Sequence, residues 1–173
     1  DRNRVLKCGN PIYEVLQYYK KEITNSEIRD KLNLKEYVLV TAHRTENVDN
    51  ENSLREIIKA LNKIAEKYTV VFSVHPRTND KLLKFNIELS KNIIISQPFG
   101  FFDFVNLEKH AKCVISDSGT VQEETCIFGV PTIIIRETTE RRETIECGSN
   151  VLCGTKYEDI IEAFDIMMKK NNI

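Results

Sequence analysis

An excess of charge of either sign is the first thing this sequence lacks: 25 Lys and Arg stand against 26 Asp and Glu in 173 residues, a net charge of −1. No block of like charge runs along it, which excludes electrostatic adhesion to DNA, RNA or anionic lipid, so any anionic ligand must be gripped locally. Long hydrophobic runs are missing too. The longest, in PTIIIR and NIIIS, fall far short of the roughly 20 apolar residues of a bilayer-spanning helix. The N-terminal DRNRVLKCGN lacks the apolar core of a signal peptide, and a cytoplasmic protein is expected. Cys8, Cys113, Cys126, Cys147 and Cys153 form neither CxxC nor a Cys/His ligand spacing. They read as reduced thiols packed in the core, and no metal site is expected. A P-loop GxxxxGKS/T, a GxGxxG fingerprint and a GxSxG elbow are all absent, and no cofactor is called for.

What is present is a regular alternation. The length suits one domain, residues 1–173, with a full hydrophobic core. Asn10 and Pro11 read as an N-cap and first helical residue, opening a helix from about Pro11 to Glu22. Six short apolar runs follow: YVLVTA (37–42), YTVVFSV (68–74), NIIIS (92–96), CVIS (113–116), PTIII (131–135) and NVLC (150–153). They lack polar alternation, as strands buried on both faces do. Helical patterns separate them: SLREIIKALNKIAEKY, DKLLKFNIEL, FDFVNLEKHA, TVQEETCIF and KYEDIIEAFDIMMKK. In the first, Leu54, Ile57, Ile58, Leu61, Ile64 and Ala65 make one apolar stripe. Such alternation predicts an α/β fold, a doubly wound, mostly parallel six-stranded sheet with helices on both faces.

Ligands of such sheets sit beyond the carboxyl ends of the strands. AHRTEN, HPRTN, QPFG, SDSGT and RETTERRE all fall at strand ends, which favours a binding cleft over solvated loops. In SDSGTVQEE a strand ends and a helix begins near Thr120. Its free N–H groups and positive dipole end suit a phosphate, and Gly119 permits close approach. A plain N-cap at Ser118 or Asp117, with Glu123 or Glu124 offsetting the dipole, reads equally well. His43 and His75 each close a strand and are followed by Arg44 and Arg77, a set able to share a diphosphate or move a proton, although lone loop histidines are more often surface or capping residues. His110 receives no role. Arg136, Arg141 and Arg142, interleaved with Glu137, Glu140 and Glu143, read on spacing as an exposed salt-bridged loop.

Taken together, TAHRTENVDN, VHPRTN, QPFGFFDF, SDSGTVQEE, GVP and RETTERRETIECGSNVLCGT resemble the non-hydrolysing UDP-N-acetylglucosamine 2-epimerases, in order and spacing, from Cys8 onward. That family is similar to GT-B glycosyltransferases, with two Rossmann-like domains facing across a UDP-sugar cleft. KCGNPIYEVL resembles the family's linker into its second domain. The resemblance therefore implies a carboxyl-terminal, UDP-binding half, inactive alone, with an amino-terminal domain that supplies acidic residues missing from this chain. It also implies a homodimer at full length. The family reaction abstracts the proton at sugar carbon 2, eliminates UDP to a glycal, and returns UDP with inverted configuration at carbon 2.

Carried onto matching positions, the resemblance implies His43, with Arg44 and Glu46 beside it, as the catalytic group. It implies His75 on the diphosphate, Ser118, Gly119 and Thr120 on phosphate, and Glu124 on the ribose hydroxyls. Phe99 and Phe104 would meet the uracil through their main chain, and Arg141 would reach diphosphate or sugar. Two departures stand out: Thr120 replaces a second glycine, and ERRE replaces ERPE at Arg142, which removes a proline that stiffens the loop. HRTENVD and HPRT also resemble relatives acting on modified acetamido sugars. A hydrolysing epimerase, a GT-B glycosyltransferase and a non-catalytic UDP-sugar-binding module are the remaining alternatives.

Overall fold

The computed structural model describes residue 6 and residues 9–170, so the expectation for Cys8 falls outside the described residues. Six strands, β1 (Tyr37–Thr41), β2 (Thr69–Ser73), β3 (Ile93–Ser96), β4 (Cys113–Ser116), β5 (Thr132–Ile134) and β6 (Asn150–Leu152), form one sheet of order β3-β2-β1-β4-β5-β6. Every pairing is parallel; Val38 is in register with Val70 of β2 and with Cys113 of β4. The expected runs hold to within a residue or two at each end.

The strands' period of two sorts the core. Val38, Val40, Phe72, Ile115 and Ile133 point to one face, against α5 (Glu51–Ile64) and α10 (Tyr157–Lys170). Tyr37, Leu39, Val71 and Val114 point to the other, against α7 (Phe101–His110) and α8 (Gly119–Phe128). The stripe foreseen on α5 is buried, and each such side chain contributes about 1.5–3 kcal/mol. Tyr37 goes under completely because its hydroxyl donates to the Leu107 carbonyl at 2.7 Å, which satisfies the phenol in a dry setting.

Three expectations need correction. The helix from Pro11 to Glu22 is two, α1 (Ile12–Tyr18) and α2 (Lys20–Thr24), broken at Tyr19 with ψ 17°. The break lets α1 lie on α8 while α2 lies on α7, where Tyr19 packs edge-on against Phe101. Asn10 still caps, accepting from the Ile12 amide at 3.0 Å. The short α3 (Ile28–Lys31) and α4 (Thr45–Val48) were not foreseen, since four residues show no periodicity. Of the described thiols only Cys113 is a core side chain; Cys126 and Cys153 are half-buried and Cys147 is exposed. Cys126 on α8 and Cys147, just past α9 (Arg142–Glu146), lie where both helices end toward solvent, their sulfurs 3.7 Å apart. Burial pushes the Cys153 thiol up to about 12.

Candidate functional site at the carboxyl edge of the sheet

The strand order reverses between β1 and β4, the switch point where doubly wound sheets open a crevice. The segments after these two strands are joined by one side chain. Asp117, wholly buried, accepts from the backbone N–H of His43 (3.0 Å) and of Arg44 (2.9 Å) and from Asn47 Nδ2 (3.1 Å). Its Oδ1 also lies 3.2 Å from His43 Nδ1. Arg44 closes the loop from the other side, its Nε donating to the Asp117 carbonyl at 2.9 Å, and Asn47 reaches on to the Ile135 carbonyl at 2.9 Å. Removing so many donors from water is tolerable only because one carboxylate answers them all.

This arrangement fixes the imidazole. With Nδ1 donating to Asp117, Nε2 of His43 is the nitrogen left to exchange a proton. His75 has the opposite polarity: it N-caps α6 (Pro76–Lys84), and its Nδ1 accepts from the Arg77 amide at 3.3 Å. Its Nε2 therefore carries the hydrogen in the neutral ring. The two rings lie 6.5 Å apart, an acceptor facing the cleft rim beside a donor. Arg77 does not share their task; it pairs with Asp49, as does Lys81 at 3.0 Å, and Arg77 and Lys81 hold the Asp49 carboxyl below its ordinary range. His110 binds the Asn106 carbonyl at 2.8 Å, a structural contact.

Glu46 stands at the start of α4, exposed, 3.4 Å from Arg44 Nη1. Its own backbone N–H, then Arg44 and Thr45, lower its carboxyl's proton affinity. A cleft of about 330 Å³ beside it runs from Glu46 and Asn47 across to Arg136 and Thr138.

Helix α8 starts at Gly119, with the Ser118 and Thr120 hydroxyls 3.2 Å apart at its mouth. Glu140 Oε1 lies 3.1 Å from where a β-carbon on Gly119 would stand, and Arg141 Nη2 lies 3.9 Å from it. The loop carrying them is fastened without the missing proline. Thr139 Oγ1 donates to Gln122 Oε1 (2.6 Å) and accepts from the Arg141 amide (3.1 Å), and Thr144 Oγ1 donates to the Arg141 carbonyl (2.8 Å). Arg141 also pairs with Glu123 of α8 at 2.7 Å, and Arg136 with Glu140 at 3.0 Å. The loop read from spacing as an exposed salt-bridged strip is thus salt-bridged, but its charges bear on the mouth of α8.

Glu124 is 6% exposed, with burial raising its proton affinity. The Phe99 and Phe104 rings pack against the core beneath. The Phe104 amide, however, is spent inside α7 on the Gly100 carbonyl at 2.9 Å. Sequence reasoning missed Asp117 and Asn47 as the organisers of the His43 loop. The signal lay in the polar pair His43 and Arg44, two and three residues after β1, and in the acid one residue after β4 on the neighbouring strand.

A six-stranded parallel sheet with a helix start and a histidine–carboxylate pair at its switch point defines a Rossmann-like α/β domain. The chain belongs to the UDP-N-acetylglucosamine 2-epimerase family, whose profile matches residues 1–173. The UDP-N-acetylglucosamine 2-epimerase of Methanocaldococcus jannaschii is 40% identical over 181 residues, 98% of this chain and 50% of that protein. A crystal structure of that enzyme in complex with UDP-GlcNAc and UDP superposes with a TM-score of 0.89, covering 97% of this chain and 49% of that one. The UDP-2,3-diacetamido-2,3-dideoxy-D-glucuronate 2-epimerase of Pseudomonas aeruginosa is 36% identical over 128 residues, 73% of this chain and 36% of that protein. This chain spans about half the length of the relatives it matches.

Proposed function

We propose that residues 1–173 are a single UDP-binding domain, the carboxyl-terminal half of an enzyme that interconverts UDP-N-acetylglucosamine and UDP-N-acetylmannosamine. The observation that carries this reading is the Asp117 junction, which joins the phosphate-ready turn to His43 in one hydrogen-bonded unit. The diphosphate sits at the mouth of α8, held by the Ser118–Thr120 turn, Arg141 and the Nε2–H of His75. Glu140 swings aside on binding, because two anions cannot share the Gly119 approach. Glu124 accepts from the ribose hydroxyls. The uracil falls to the main chain of Phe99 rather than of Phe104, whose N–H is already bonded.

His43 Nε2, with Asp117 holding the ring, exchanges a proton near the departing phosphate or the sugar, with Glu46 and Arg44 at its side. A facing amino-terminal domain supplies the remaining acid and base groups, so the isolated chain binds UDP without turnover. The complete protein is a cytoplasmic homodimer. The 36% identity to the diacetamido-glucuronate enzyme supports a second reading, the same reaction on a modified acetamido sugar.

Calorimetric titration tests the nucleotide claim directly: micromolar to low-millimolar UDP binding is expected, and absence of heat from a folded sample at millimolar UDP counts against it. Glu124→Ala should weaken UDP more than pyrophosphate; equal losses remove the ribose role.

A further inference from the structure

The cysteines of the described residues divide into two kinds. Burial keeps the Cys113 and Cys153 thiols protonated, and each donates to a main-chain carbonyl, Cys113 to Val114 at 3.7 Å and Cys153 to Gly154 at 3.4 Å. Thiols so held are inert. Cys126 and Cys147 differ, because their sulfurs meet at 3.7 Å across 21 residues of sequence, with Cys147 exposed and Cys126 half-buried. Cys147 donates to the Thr144 carbonyl at 3.4 Å, which leaves its sulfur to accept the Cys126 S–H. A cleft of about 370 Å³, lined by both cysteines with Pro131, Ser149 and Met167, opens beside them. It gives a small thiol reagent access to the sulfurs and its leaving group a way out. Cys126 stands about 10 Å along α8 from Gly119, so the pair lies away from the mouth of that helix. Cys147 directly follows α9, the helix that begins after Arg141.

We propose that Cys126 and Cys147 are a site of reversible oxidation by a small disulfide such as oxidised glutathione, and that the bond formed between them staples the Arg141 loop and α9 to α8. The chemistry is two successive exchanges. The Cys147 thiolate, its proton given to solvent, attacks one sulfur of the small disulfide; a bond to Cys147 forms, the small S–S bond breaks, and one thiolate leaves and takes up a proton. Cys126 then gives up its own proton, attacks the Cys147 sulfur and expels the second thiolate, which is protonated in turn. Two protein thiols are oxidised and one small disulfide is reduced to two thiols, with no electron or proton left over. Exposure selects Cys147 for the first attack, since burial and the contact with Cys147 push the Cys126 thiol up. A disulfide needs its sulfurs at about 2.05 Å, and rotation of the exposed side chain supplies the closure. In a reducing compartment the pair rests as a dithiol and the bond is transient. The loop before Cys147 already lies along α8, through Thr139 on Gln122 and Arg141 on Glu123, and the bond adds a covalent third fastening. Its benefit to UDP, through an Arg141 held in place, rests on the diphosphate role of Arg141 proposed above.

The test treats the folded chain with oxidised glutathione at neutral pH and reads it in three ways. Peptide mapping by mass spectrometry should find the Cys126 and Cys147 peptides joined, with the intact mass lower by about 2 Da, and dithiothreitol should separate them. Cys126→Ser should instead hold glutathione on Cys147, and Cys147→Ser should react about tenfold more slowly at Cys126. Amide hydrogen exchange over residues 137–147 should slow about tenfold in the bridged chain. UDP should bind the bridged chain about threefold more tightly, a gain lost in Arg141→Ala. Glutathione held separately on the two cysteines, with no linked peptide, overturns the site. Linked peptides with unchanged exchange overturn the staple. Equal UDP affinity of the two forms overturns the ordering of Arg141. No UDP binding by either form removes the nucleotide reading, and the ordering of Arg141 with it, while linked peptides leave the bond standing.

Discussion

Asp117 and Glu108 are both carboxyl groups withdrawn wholly from water, and the fold accommodates them in opposite ways. Asp117 meets two backbone amides, an Asn amide and an imidazole, all donors. Both carboxyl oxygens of Glu108 are buried without a hydrogen-bond partner. A buried acid can be answered by partners or by a proton, and which answer the structure uses decides what the residue can do. The first makes a rigid joint that organises a loop. The second leaves a carboxyl whose proton affinity burial raises, so that its cost to the fold depends on pH.

Removing the partners' acceptor should have the largest effect. Asp117→Ala strands the donors of the His43, Arg44 and Asn47 segment and is expected to cost about 3 kcal/mol or more, read as a lower urea midpoint with an unchanged m-value. Removing one donor instead tests whether the joint is a network. Asn47→Ala loses the contacts to Asp117 and to the Ile135 carbonyl, and about 1–2 kcal/mol is expected by the same measurement.

Glu108→Gln probes the other carboxyl, with an effect that changes with pH. The Glu108 carboxyl is raised in the folded chain, so its contribution is fully present below the unfolded value of about 4.3 and is lost as pH rises toward the folded value. The glutamine variant does not titrate. Its stability relative to the parent should therefore rise steadily from pH 5 upward in denaturant titrations; a constant difference would remove the raised carboxyl. The smallest effect belongs to the turn after Asp117. Thr120→Gly restores the relatives' second glycine in the first turn of α8, and a loss below about 1 kcal/mol is expected, with UDP affinity within about twofold. A large loss of UDP affinity would mean that the Thr120 hydroxyl, not only its backbone, grips phosphate.

The same two acids mark how far the sequence could be read. The sheet was legible because six apolar runs alternate with helical patterns, and the rim was legible because polar motifs fall at strand ends. Motif resemblance pointed to Ser118, Gly119 and Thr120 at the start of a helix, which is where α8 begins. Asp117 reads in sequence as an ordinary cap, because its partners are loop amides more than 70 residues away. Glu108 carried a faint signal, standing four residues after Phe104 and three after Val105, on what would be the apolar stripe of α7. The break at Tyr19 and the exposure of Cys147 were set by which neighbours pack against which helix, information that no local window contains.

The Asp117 joint has a mechanical consequence. Its backbone belongs to the segment that begins α8, and its side chain belongs to the segment that carries His43, 74 residues earlier in the chain. Like a dowel through two planks, it couples their alignment: a displacement of Ser118 to admit a ligand drags the His43 amide with it, and a shift of His43 tugs on the mouth of α8. Grafting either loop onto another scaffold without its counterpart would therefore transplant the residues but not their register.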